Sequence, residues 1–219
     1  MNASAFFAAP LLLATLLLSG SVLAQTGHPA DINPDTLSRL PPVERSQLDD
    51  EGKRIWDAIT NGGTVPMSAP PRIAMYSPKA AELNNTLNRQ MRATVNGPRF
   101  FELAALIAAR EFDQQYEWSA HEPTGLQAGL PQSVIDVVKY NKGLSGLTDK
   151  DATVIRLGRA VFRDHRVAPD VWAKTVELFG RRGAVELIIT MGEYAMTAVM
   201  LTAVDQQLPP DRKPLLPGR

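Results

Sequence analysis

Beyond Pro98 the apolar residues of this chain recur at helical spacing, and nowhere along it do they alternate as a half-buried strand requires. Phe101, Leu103, Leu106 and Ile107 form one stripe, Val134, Ile135, Val137 and Val138 a second, and Val154, Leu157, Val161 and Phe162 a third. The punctuation agrees with the stripes. Pro98 stands where a first-turn proline is tolerated, Gly129 closes one helix and Pro131 opens the next. Thr148 with Asp149 and Asp151 reads as a capped helix start with acids near the positive dipole end. Pro169 starts a short helix through Phe179, and a last long one runs from about Gly183 to Gln207. The fold class is therefore all-α, with antiparallel helix hairpins packed as a bundle.

Upstream, the chain divides into three stretches. Phe6 to Leu18 is an apolar run followed by small residues, and Val22-Leu23-Ala24 before Gln25 fits signal-peptide cleavage after Ala24. Residues 1–24 are read as that leader, 25–44 as an extended arm, and 45–219 as the helical domain. Ser46 is the candidate cap of a first helix that Gly62-Gly63 ends. Pro66, Pro70, Pro71 and Pro78 speak against regular structure between Val65 and Pro78, and a second helix is expected from Lys79 to Val95. Past the leader no segment looks apolar for long enough to span a bilayer, so a periplasmic or secreted protein without a membrane anchor is expected.

Composition narrows the chemistry. The 23 basic and 23 acidic side chains balance, which gives no electrostatic case for nucleic acid or an anionic membrane as partner. Cysteine is absent, which excludes disulfides, Cys-ligated zinc and every thiol-based reaction.

The candidate site lies near the middle of the chain. Gln114, Glu117 and His121 are spaced three and four apart and share one helix face. With Asp113 as N-cap, Gln114 and Glu117 fall in the first turn, where free N–H groups and the dipole favour an anion. A carboxylate there would hold a proton on His121 and make an acid–base couple near neutral pH. The bland alternative is a helix-surface pair contributing a few tenths of a kcal/mol. Carboxylate–histidine spacing also suits zinc or iron. His28 in the arm and His165 in the last turn of a helix lend a metal no support, so neither metal nor cofactor is expected. Arg110 is a candidate clamp for a substrate carboxylate, and Tyr116 and Trp118 are candidate pocket walls.

Glu102-Leu103-Ala104-Ala105-Leu106-Ile107-Ala108-Ala109-Arg110, followed by Gln114-Gln115-Tyr116-Glu117-Trp118-Ser119-Ala120-His121, resembles the signature of the carboxymuconolactone decarboxylase and AhpD-like family. Val185-Glu186-Leu187 to Tyr194, then Leu208-Pro209, is similar to its C-terminal helix and following turn. The resemblance spans roughly residues 40 to 215 and implies an AhpD-like helical bundle assembled as a homotrimer or higher oligomer. In the AhpD-like branch two cysteines sit at the start of the second helix, with a relay Glu and His beside them. Carried over, Glu102 falls on the relay Glu and His121 on the relay His, while Gln114 and Glu117 stand at the cysteine positions. Thiol peroxidase chemistry is thereby excluded, since the thiolate is its nucleophile. What the resemblance leaves is non-redox acid–base chemistry on a small carboxylate or lactone. His121, Glu117 and Glu102 would be catalytic, and Arg110, Gln114, Tyr116 and Trp118 substrate-binding. The alternative is a non-catalytic periplasmic binding or scaffold protein on the same fold.

Overall fold

A computed structural model describes residues 29–218 and Met1; the leader assigned to residues 1–24 lies outside the residues described beyond Met1. Among the described residues the chain is helical and contains no strand. A 3-10 turn (Arg45–Gln47) precedes α1 (Asp50–Thr60), α2 (Ala69–Ala74), α3 (Pro78–Arg92), α4 (Pro98–Glu111), α5 (Gln115–Gln127), α6 (Gln132–Lys139), α7 (Asp149–Phe162) and α8 (Pro169–Ala203).

The organising element is α4. Every residue from Phe101 to Arg110 is buried, with α3, α5, α6, α7 and α8 packed around it. A helix apolar on all sides can only sit inside a bundle. The alanines between Leu103 and Ile107, and again at 108 and 109, let neighbouring helices approach closely. The main core gathers Leu103, Leu106 and Ile107 with Trp118, Ile135, Val154, Ile155, Leu187 and Met191. Gly158 of α7 marks the tightest approach, since a Cβ there would lie 2.4 Å from Ile107 Cγ2.

α4 and α5 form a tight hairpin through Phe112, Asp113 and Gln114. Asp113 takes the left-handed conformation (φ 49°), which a short polar residue tolerates. The N-cap of α5 is therefore Gln114 and not Asp113: Asp113 spends its backbone on reversing the chain, and Gln114 Oε1 accepts from Tyr116 N at 3.0 Å.

Other local expectations are also corrected. The cap of α1 is Asp49, which accepts from Gly52 N at 2.7 Å, because Ser46 is inside the preceding 3-10 turn. The proline-rich stretch includes the short α2, with its prolines in the first turn where no N–H bond is lost. The described part of the arm is not extended. Asn33 N donates to Ser38 O at 2.8 Å, and the resulting turn docks on the end of α8 through Arg39 N to Val204 O at 2.8 Å and Gln207 N to Leu37 O at 2.7 Å. His165 follows the end of α7 in a left-handed turn (φ 50°) and so does not face that helix's last carbonyls as a member of its final turn.

α8 is kinked at Gly180 (φ 68°, ψ 168°), a non-helical residue that separates two helices, in agreement with the expected end of one helix at Phe179 and start of the next near Gly183. By length and composition α8 is long and apolar enough to cross a membrane, contrary to the expectation that no such segment follows the leader. In the fold, 56% of its most apolar window is buried among the other helices.

Gly158→Ala should destabilise the fold by about 1–3 kcal/mol, the usual cost of overpacking. Urea denaturation should show this as a lower midpoint with an unchanged slope.

Candidate active site

Three ionisable side chains converge where α4 and α5 meet. Glu117 occupies the first turn of α5 and His121 lies one turn further on the same face. Glu102 reaches across from α4. His121 Nδ1 lies 2.7 Å from Glu102 Oε2, and Nε2 lies 3.4 Å from Glu117 Oε2. All three are buried, with relative exposures of 5% for Glu102, 3% for Glu117 and 7% for His121. Thr124 Oγ1 donates to the same Glu102 oxygen at 2.9 Å, and Arg92 Nη1 stands 3.8 Å from the other.

The electrostatics follow from this arrangement. Burial alone would drive protons off the imidazole. The hydrogen bonds and charges of Glu102 and Glu117 outweigh it and raise the His121 pKa from 6.5 to about 9. At neutral pH His121 is therefore an imidazolium that donates from Nδ1 to Glu102 and is ion-paired through Nε2 with Glu117. Among the described residues no group of three or more His, Asp or Glu side chains is arranged to hold a metal ion.

A cavity of about 260 Å³ opens beside this trio, bordered by Glu117, His121 and Tyr116. Its remaining walls come from α2, α3, α8 and the C-terminal tail, including Asn84, Asn88, Arg92, Glu193, Tyr194 and Arg212. Glu102 does not border it and stands behind His121. Tyr194 packs edge-on against the imidazole with centroids 4.7 Å apart, and burial holds its phenol well above the usual range, hence neutral. Burial also raises the Glu193 pKa, a shift that the charge of Glu117 reinforces.

The other sequence candidates are distributed differently. Tyr116 borders the cavity, and its hydroxyl accepts from Ala69 N at 3.2 Å. Gln114 turns away from the cavity toward α8, donating to Thr202 Oγ1 at 3.0 Å while it caps α5. Arg110 is also remote from the cavity; it is buried at the far end of α4, 2.6 Å from Asp113 Oδ1. The carboxylate clamp assigned to Arg110 is thus not available there, because the hairpin turn holds its guanidinium. Trp118 is wholly buried in the main core. Its indole N–H donates to Glu122, which Lys139 Nζ also approaches at 2.9 Å. That buried pair joins α5 to α6 and leaves Trp118 no face toward the cavity.

Arg92, Glu193 and Arg212 went unnoticed in the sequence. Glu193 had a signal: a single acid inside Ile188-Ile189-Thr190-Met191-Gly192, continuing to Tyr194-Ala195-Met196, is out of place unless it is partnered or functional. Arg92 and Arg212 had none, since arginines near a helix end or in a polar tail are ordinary.

Compared with known proteins, the chain matches no family model and no curated protein.

The raised His121 pKa ties stability to pH. The folded form holds its extra proton above pH 6.5, so the stabilisation is complete below 6.5 and is lost as pH rises through about 9. The expected slope is at most about 1.4 kcal/mol per pH unit. Chemical denaturation from pH 6 to 10 should show it in the wild type and not in His121→Gln.

Proposed function

We propose that the His121 cavity is an active site for acid–base, non-redox chemistry on a small carboxylate or lactone, of the kind run by carboxymuconolactone decarboxylases. The observation that carries this is the placement of Glu117 and His121 together on one cavity wall, the imidazole ion-paired with Glu117 and hydrogen-bonded to Glu102 behind it. The helical hairpin of α4 and α5 is compatible with the AhpD-like bundle that the sequence resembles, and the proposal adopts that bundle.

In this reading the substrate carboxylate is held at the cavity's arginines, Arg92 or Arg212, in place of Arg110. For decarboxylation, the bond to the departing carboxylate breaks and its electron pair moves onto an adjoining carbonyl, giving an enolate as carbon dioxide leaves. The His121 imidazolium lies where it can offset the developing oxyanion. It then supplies the proton that completes the new C–H bond, and Glu117 shares the recharging of His121 with solvent. Glu102 is a positioning residue: it fixes the imidazole from behind and keeps it charged.

One observation favours a second reading, a non-catalytic binding protein. A histidine raised to about 9 is a reluctant proton donor at neutral pH and an effective anchor for an anion. The same proposal has the chain exported through its apolar leader and assembled as a homotrimer or higher oligomer. Exposed Val185, Ile188, Met196 and Val199 of α8 give a second copy an apolar face to meet.

The two readings separate on turnover. A screen of small lactones and carboxylates should yield a substrate whose kcat/KM falls about 10²-fold or more in His121→Ala and Glu117→Gln, with far-UV circular dichroism unchanged. Glu102→Gln should cost less and move the pH profile to lower values. Binding of such compounds without any turnover would support the anchor reading. A dithiol-dependent peroxide assay should give no reaction.

A further inference from the structure

Two polar atoms on the cavity residues lack partners. Glu193 is 5% exposed. Its Oε1 accepts from Asn88 Nδ2 at 2.7 Å, but its Oε2 is buried with no hydrogen-bond partner. Asn84 Oδ1, on the adjoining helix α3, is likewise buried and unpartnered. Both residues border the same cavity as His121. An unsatisfied buried oxygen costs about 1–3 kcal/mol, and two around one cavity mark a place where a ligand group completes the network.

The chemistry of that group follows from its surroundings. Asn84 Oδ1 only accepts, so the group must donate. Burial disfavours the charge of Glu193 and favours its protonated form, so Oε2 can donate. A hydroxyl has a single proton: it donates to Asn84 Oδ1 and accepts from the protonated Glu193 Oε2. An ammonium only donates, and the cavity already contains the His121 imidazolium and the guanidiniums of Arg92 and Arg212. The Arg92 side chain is 50% exposed. It lies over the Phe101 ring, 4.8 Å from its centroid, and Nε donates to Asn88 Oδ1 at 2.9 Å. Asn88 thus links the guanidinium directly to Glu193.

We infer that the ligand of this cavity is a small hydroxy acid, its hydroxyl seated between Glu193 Oε2 and Asn84 Oδ1 and its carboxylate on Arg92. This rests on the reading of the cavity as a substrate site, and it makes Glu193 the group that tells a hydroxylated acid from its deoxy counterpart. Selectivity of this origin is large, because the wrong ligand leaves the buried oxygens unpaired.

Calorimetric titration with three- to six-carbon acids tests this in matched sets bearing hydrogen, hydroxyl or ammonium at one carbon, such as succinate, malate and aspartate. The hydroxy member of at least one set should bind about tenfold or more tightly than both its counterparts. Glu193→Met, which removes the hydrogen-bonding group, should abolish that preference, Glu193→Gln, whose amide N–H₂ still donates, should retain much of it, and Asn84→Ala should weaken it. The deoxy acids should lose affinity in Arg92→Met but not in Glu193→Met. Deoxy and hydroxy acids binding alike, with both weakened by His121→Ala, would overturn the hydroxyl inference and leave the substrate site standing. Tightest binding of the ammonium member would overturn it in favour of an amino acid. No binding by any set would overturn both the inference and the site reading.

Discussion

Helix α4 is buried on every side and nevertheless carries a glutamate. Water cannot solvate that carboxylate, so its environment must supply a cation and hydrogen-bond donors or leave a costly orphan. His121 supplies the cation at 2.7 Å and Thr124 a hydroxyl at 2.9 Å, both from α5. The requirement fixes the rotation of α5 about its axis. Once His121 faces Glu102, Glu117 one turn earlier must share that face, and Trp118, about 100° round the helix from Glu117, turns into the core.

Much of the cavity's character follows from that rotation. The imidazole is held from behind by Glu102 and from the side by Glu117, so its edge closes one wall while Tyr194 packs against it. Two acids around one base make it a lasting cation, and the arginines of α3 and the C-terminal tail add two more positive groups. Glu117 and Glu193 keep the interior from being uniformly positive. A cavity with fixed charges of both signs in a small volume suits a polar small molecule with distinct ends better than an apolar ligand. An anion-binding protein would use the same geometry.

Helical periodicity made the all-α class and most helix limits from Pro98 onward legible, because tertiary packing there reinforces the stripe pattern. The break after Phe179 was legible as well, and Gly180 makes it by taking a positive φ that a helix interior does not allow. The caps were not. Asp113 is an excellent N-cap by type, but a reversal as tight as the one between α4 and α5 needs a left-handed residue, and Asp113 serves that instead. Glu102, Glu117 and His121 were legible because helix spacing brings two of them together and the resemblance adds the third. Arg110, Gln114 and Trp118 lie near them in sequence but point to other sides of their helices, which local spacing alone does not reveal without knowing which side is core. The partners on α3, α8 and the tail come from far along the chain, and only the fold puts them at the site.

The central claim is that His121 is an imidazolium, hydrogen-bonded to Glu102 and ion-paired with Glu117, at the wall of the cavity. The direct measurement is the ¹⁵N spectrum of its ring nitrogens at pH 7.5, assigned by comparison with His121→Gln. The account predicts two protonated nitrogens that persist until the pH approaches 9. One protonated and one bare nitrogen at pH 7.5, titrating near the ordinary 6.5, would contradict it.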